Sequence, residues 1–148
     1  MRAEDQFHVG IVVEDIDAAL DEYAALLGHG WTVELGGPTP VRTPAGETVL
    51  NMRCVYSTTT PRLEIVGRIP GTLWEPAASG VHHIGFWSDD VAADRADLEA
   101  HGYTLEAERV GADGVPSFAF CRSRAGLLVE LVSRASQPGL ERCWGEPR

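Results

Sequence analysis

Residues 7–28 read FHVGIVVEDIDAALDEYAALLG, and residues 81–103 read VHHIGFWSDDVAADRADLEAHGY. The first begins with a β-rich run, passes through Glu14-Asp15, and continues with Ile16, Ala19, Leu20, Tyr23, Leu26 and Leu27 at helical spacing, so it reads as a strand feeding a helix. Asp15 suits the N-cap, and Gly28 suits the left-handed residue that ends such a helix. In the second stretch residues 81–88 are the strand, Asp89-Asp90 opens the helix and Gly102 closes it. A single offset of 75 residues carries His8 to His83, Gly10 to Gly85 and Asp15 to Asp90, so the chain repeats itself.

Working outward, three strand candidates follow the first helix, near residues 31–35, 48–56 and 62–67. They are separated by the Pro44-Ala45-Gly46 turn and a loop at residues 58–61. Strand candidates near residues 104–109, 117–121 and 127–132 follow the second helix, with Asp113-Gly114 as a turn between the first two. Each half is therefore βαβββ, and the class is α+β. With 148 residues the chain is the size of one domain, 1–148. Module 1 covers about 7–67, module 2 about 81–133, and a tail at 134–148, with Pro138, Gly139, Gly145 and Pro147, has little periodicity and is expected to be loosely attached or interfacial.

A formal charge of −10 with no basic segment argues against nucleic acid and anionic membranes as partners. No apolar run approaches the roughly 20 residues of a membrane span. The first residues lack the basic-then-apolar pattern of a secretory signal, so a cytoplasmic location is expected. Cys54, Cys121 and Cys143 are odd in number and widely spaced, and are expected to be reduced bystanders.

Four polar residues on apolar strands carry the chemistry. Glu64 lies within Leu63-Glu64-Ile65-Val66 and Glu130 within Val129-Glu130-Leu131-Val132, matched segments at an offset of 66 residues. A buried carboxylate needs a charge partner, strong hydrogen bonds or a metal. Strand alternation puts His8 on a face with Gly10 and Val12, and His83 on a face with Gly85 and Trp87, whereas His82 falls on the other face and reads as a core or supporting residue. A lone strand histidine or glutamate is ordinarily structural. Two of each at equivalent repeat positions would be gathered by a pseudo-two-fold axis into one divalent-metal site.

The pieces FHVGIVVEDIDAALDEYAALLG, PRLEIVG, GVHHIGFWSDDVAADRADLEAHGY and GLLVELV resemble the vicinal oxygen chelate superfamily, over about residues 7 to 133. That superfamily includes glyoxalase I, methylmalonyl-CoA epimerase, extradiol dioxygenases and bleomycin-resistance proteins. The resemblance implies paired βαβββ modules forming an open, barrel-like cup around a metal, with ligands on the first and fourth strands of each module, here His8, Glu64, His83 and Glu130. It also implies Glu130 as a carboxylate able to leave the ion and move a proton, with Glu47 as a possible second acid/base. The fragments are most like methylmalonyl-CoA epimerase, although the Thr-x-Asn-Trp run of glyoxalase I is missing after Glu64. The epimerase's His-Pro-Lys is missing before the last strand.

Two imidazoles and two carboxylates suit Co, Ni, Mn, Fe or Zn and leave open positions for a small-molecule substrate. The expected activity is that of an isomerase, epimerase or lyase working by proton abstraction next to a carbonyl. A dioxygenase and a metal-free antibiotic-binding protein are the alternatives. Trp87 is the best aromatic candidate for the substrate pocket, Arg68 a candidate partner for a substrate anion, and Trp74, in the linker between modules, could cover the core or meet a partner. A homodimer is expected, with the site formed within one chain or across two.

Overall fold

The computed structural model describes residues 1–111, 114–145 and 148, so Asp113 of the expected Asp113-Gly114 turn and Pro147 of the tail lie outside the described residues. Strand β1 (Gln6–Val13) leads into helix α1 (Ile16–Leu27), then β2 (Leu35–Thr43), β3 (Gly46–Tyr56) and β4 (Arg62–Gly67). The second half repeats the order with β5 (His83–Ser88), α2 (Val91–Ala100), β6 (Thr104–Val110), β7 (Pro116–Arg122) and β8 (Leu128–Ser133). A 3-10 turn, Arg134–Ser136, and helix α3 (Gln137–Trp144) end the chain. The helix ends follow from local chemistry. Asp15 and Asp90 each accept the backbone N–H three residues on, from Ala18 and Ala93, and Gly28 takes the left-handed conformation after α1 with φ of 73°.

The eight strands close into a barrel in the order β1-β4-β3-β2-β6-β7-β8-β5. Within each half the first strand lies parallel to the fourth, β1 beside β4 and β5 beside β8, and the halves meet where β1 runs antiparallel to β5. This last pairing fixes the site: His8 lies opposite Gly85, and Gly10 opposite His83. The second junction, β2 to β6, is held by a single pair, Arg42 opposite Glu108.

Apolar residues divide among three packed clusters. Val12, Val41, Val66, Ala107, Phe120 and Leu128 fill the barrel together with Trp74, whose linker turns in as a stopper, so Trp74 covers the core. Ile16 and Leu20 of α1 pack on Trp31, Val55 and Ile65. Val91 and Leu98 of α2 pack on Ala119, Cys121, Val129 and Leu131. Period-2 alternation thus works on both sides of the sheet, one face turned to the barrel and the other to a helix.

The expected strand at 31–35 is displaced: only Trp31 makes a bridge there, to Ser57, and β2 runs over Leu35–Thr43. Its sequence, LGGPTPVRT, reads as a loop. Along most of its length β2 hydrogen-bonds only β3, so Pro38 and Pro40 lose no ladder donor. Gly36 sits at φ of 134°, where a Cβ would come 2.1 Å from the carbonyl oxygen of Met52. The tail is not loosely attached. Trp144 of α3 lies 4.0 Å below the Arg62 guanidinium and near the rings of Phe7, Tyr56 and Trp87.

Candidate metal centre

His8 and Glu64 come from the neighbouring strands β1 and β4, His83 and Glu130 from β5 and β8, all inside one barrel and one chain. All four are buried, and one ligand atom from each lies within 4.8 Å of the other three. Close approach of the two imidazoles is a backbone matter. A Cβ at Gly85 would stand 1.9 Å from Cε1 of His8, and one at Gly10 would stand 1.9 Å from Cε1 of His83. Each His-x-Gly therefore supplies a ring from its histidine and a gap for the partner ring from its glycine.

The spacings are those of donors around one ion. Nε2 of His8 is 2.9 Å from Nε2 of His83 and 3.1 Å from Oε2 of Glu130; Nε2 of His83 is 3.0 Å from Oε2 of Glu64. The remaining His–Glu pairs, His8 to Glu64 and His83 to Glu130, are both 3.4 Å apart. Donors about 2.1 Å from a common metal stand about 3.0 Å apart at right angles and about 3.4 Å apart at tetrahedral angles. Oε2 of Glu130 is buried, has no hydrogen bond of accepted geometry among the described residues, and faces the two imidazole nitrogens at 3.1 and 3.4 Å. The all-nitrogen-and-oxygen donor set and this orphaned acceptor both fit a divalent ion.

Supporting hydrogen bonds orient the donors. His82 has one ring nitrogen, Nε2, 2.8 Å from the Leu73 carbonyl and the other, Nδ1, 2.9 Å from Nδ1 of His83. A carbonyl only accepts, so His82 carries its proton on Nε2 and accepts at Nδ1 from His83, which leaves Nε2 of His83 facing the cluster as a donor of electrons. Burial lowers the pKa of His82, in keeping with a neutral relay. Tyr56 donates its hydroxyl proton to Oε1 of Glu64 at 2.5 Å.

Burial works against charge on His83, but Glu130 and Glu64 outweigh it and raise its pKa to about 9. His8 is raised in the same way, burial again being overcome by Glu64 and Glu130. For Glu64 and Glu130 burial opposes ionisation too, and the two histidines overcome it, holding both carboxyls below their ordinary range. Without a cation the four groups compensate one another as imidazolium and carboxylate. Protons and a metal compete for the same imidazole lone pairs.

The sequence profile described as the Glyoxalase/Bleomycin resistance protein/Dioxygenase superfamily matches residues 7–121. The chain belongs to this superfamily. A curated member, the ethylmalonyl-CoA/methylmalonyl-CoA epimerase of Cereibacter sphaeroides, is 32% identical over 131 residues, covering 84% of this chain and 93% of that protein. Among solved structures, a Streptomyces coelicolor methylmalonyl-CoA epimerase variant in complex with 2-nitronate-propionyl-CoA superposes with a TM-score of 0.60 at 23% identity, over 88% of this chain and 97% of that one. The methylmalonyl-CoA epimerase of Mycobacterium tuberculosis gives 0.57 at 20% identity, over 92% and 91% of the two chains. These two structural likenesses concern the fold, the glyoxalase-type barrel just described.

In this member of the glyoxalase superfamily a cavity of about 250 Å³ opens onto Glu64 and Glu130, walled by Met52, Cys54, Tyr56, Phe118, Phe120 and Val132. Three of the residues singled out from sequence are not gathered there. Glu47 is the second residue of β3, nine residues and about 30 Å of extended chain from Tyr56, with a side chain 74% exposed and paired to Arg42 at 3.1 Å. Arg68 is held by Glu14 and Glu75 outside the barrel. Trp87 is buried against Phe7, ring centroids 3.8 Å apart, at the barrel's end. Sequence reasoning missed Tyr56 and Arg109. Arg109 lines the cavity and has no ion pair among the described residues. Register irregularities on both sides of Ala107–Arg109 hide its facing from simple alternation.

No helix among the described residues is long and apolar enough to cross a membrane.

Proposed function

We propose that this protein is a divalent-metal-dependent epimerase that removes and returns a proton at the carbon next to the carbonyl of a short branched acyl-CoA, of the ethylmalonyl or methylmalonyl type. The observation that carries this reading is the convergence of His8, Glu64, His83 and Glu130 at metal-ligand spacing, in a chain 32% identical to an epimerase of that name. His8, Glu64, His83 and Glu130 would hold the ion. Bound there, a divalent cation supplies a Lewis acid for negative charge developing on a carbonyl oxygen. Glu130, whose carboxylate borders the cavity and has no partner like the Tyr56 hydroxyl on Glu64, is the base that takes the proton from the reacting carbon. Phe118, Phe120 and Val132 exclude water around the reacting carbon.

The size of the cavity supports the substrate class. About 250 Å³ is below the usual range for a drug-sized ligand and takes an acyl group, not a whole coenzyme. Arg109 on the cavity wall is the cation available to an anionic part of the substrate. All four donors lie in one chain, so no exchange of modules is needed, and the proposed homodimer would pair complete sites.

The test is solvent-deuterium incorporation into methylmalonyl-CoA and ethylmalonyl-CoA, followed by mass spectrometry, on protein stripped with chelator and reloaded with Co, Ni, Mn, Fe or Zn. Metal-dependent exchange at the carbon between the two carbonyls is expected. Stoichiometric metal binding without exchange on either thioester would overturn the reaction, and absence of metal binding would overturn the site.

A further inference from the structure

The two halves place equivalent aromatic residues beside their carboxylates. Between β3 and β4, Tyr56 lies opposite Glu64; between β7 and β8, Phe120 lies opposite Glu130. The Tyr56 ring stands edge-on to His8 with centroids 5.7 Å apart, and the Phe120 ring stands edge-on to His83 at 5.2 Å. The repeat is thus kept in backbone register and in ring packing, and it differs by one hydroxyl.

That hydroxyl has a consequence for the carboxylates. Glu64 has both oxygens engaged, Oε1 by the Tyr56 hydroxyl at 2.5 Å and Oε2 by Nε2 of His83 at 3.0 Å. Tyr56 and Glu64 are both buried, so the bond is shielded from competing water. On the other side Oε2 of Glu130 likewise faces the imidazoles, 3.1 Å from Nε2 of His8, but Phe120 has nothing to donate and no side-chain hydroxyl among the described residues bonds Glu130 as Tyr56 bonds Glu64. A carboxylate pinned by a second partner keeps one orientation and presents a single oxygen to a cation. One without such a partner turns about its side-chain torsions freely.

We propose that Tyr56 is a positioning residue that makes two otherwise equivalent carboxylates unequal, fixing Glu64 as a permanent metal ligand and leaving Glu130 as the arm that swings to carry the proton. This rests on the metal-centred reading above and assigns roles within that site.

The test uses Tyr56→Phe and the converse Phe120→Tyr, each stripped with chelator and titrated with Co(II), following the visible absorption of the bound ion. Circular dichroism and thermal unfolding check the fold. Tyr56→Phe is expected to weaken Co(II) binding by roughly 10- to 100-fold, the usual effect of losing a partner of a ligand, and to change the Co(II) spectrum. Phe120→Tyr, which gives Glu130 a donor, is expected to bind Co(II) at least as tightly as the parent while its solvent-deuterium exchange falls at least tenfold. A Tyr56→Phe protein with parental Co(II) affinity and spectrum overturns the role of Tyr56, as does a Phe120→Tyr protein with parental exchange. Failure of the parent itself to bind Co(II) overturns instead the metal site on which the inference rests.

Discussion

Replacing Gly85 by alanine adds one methyl group, and the structure dictates where it goes. The new Cβ would lie 1.9 Å from Cε1, 2.3 Å from Nδ1 and 2.5 Å from Nε2 of His8, where ordinary contact begins at 3.4 Å. The imidazole must retreat by about 1.5 Å, several times the roughly 0.2 Å tolerance of a metal–ligand bond. His8 is 1% exposed and wedged between its neighbours, so the retreat also strains the barrel. Overpacking of this kind costs about 2 kcal/mol, which in a domain of this size lowers Tm by roughly 6 °C. Loss of one ligand of four should weaken Co(II) binding by about 100-fold or more, close to 2.8 kcal/mol. Gly10→Ala acts on His83 from the opposite strand and should match it. The double variant should be less than additive because both destroy the same site. Gly139→Ala is the control: its Cβ meets only the end of the Arg142 side chain at 3.8 Å, within a helix, and it should leave Co(II) binding intact. Titrating chelator-stripped proteins with Co(II), alongside calorimetric Tm, decides the matter. Parental affinity and Tm in Gly85→Ala would refute the claim that the glycines exist to let the two rings meet.

Other perturbations follow from the same coordinates. Arg109→Ala should raise KM for the acyl-CoA about tenfold with little change in kcat, because Arg109 lines the cavity and is not one of the four donors; an unchanged KM in steady-state kinetics would remove it from substrate binding. Glu108 is 2% exposed and accepts from Arg42 at 3.0 Å and Arg95 at 2.6 Å, tying β2, β6 and α2 at the weakly paired junction. Glu108→Gln should destabilise by about 2 kcal/mol in urea unfolding, less than a fully buried pair because both arginines reach solvent. In chelator-treated protein the raised pKa values of His83 and His8 contribute stability that is fully present below their ordinary 6.5, and the His83 part is lost as pH climbs through about 9. The lowered carboxyls contribute above their ordinary 4.5. Tm should therefore be highest between pH 4.5 and 6.5 and fall toward 9, and a flat profile from 6 to 9 would mean the imidazoles are not paired with Glu64 and Glu130.

What could be read from sequence depended on whether the signal was local. The paired βαβββ order was legible because α1 and α2 carry their own caps, Asp15 and Asp90, and because β1 and β5 keep a constant offset. Helix α3 was not, since Pro138 and Gly139 in its first turn are read as turn residues. What holds it is tertiary: Trp144 packed beside Phe7, Tyr56 and Trp87 beneath Arg62. His82 is buried and supports His83 without joining the four donors, as its place beside the ligand face implied, but its partner could not be read from alternation. Strand β5 begins at His83, and the residue before it turns its ring back against His83.

The partner positions of the centre were hidden for a related reason. Tyr56 precedes Glu64 by eight residues and Phe120 precedes Glu130 by ten, because the hairpin loops differ in length, so no fixed spacing marks them as counterparts. Only antiparallel register does. A repeat of this kind supplies the metal-binding half of the chemistry cheaply, since two copies of His-x-Gly and a strand glutamate converge by symmetry. Catalysis requires the symmetry to be broken, because a ligand that anchors the ion and a base that travels cannot be the same kind of carboxylate. The break here is a hydroxyl on β3 with no counterpart on β7, supplemented by the His82 relay that supports His83 while Nδ1 of His8 is buried without a partner. Those two asymmetries fall on different halves, one steadying Glu64 and the other His83. Of the four donors, that leaves His8 and Glu130 as the ones without a supporting hydrogen bond, and of those two only Glu130 is a base on a flexible stem.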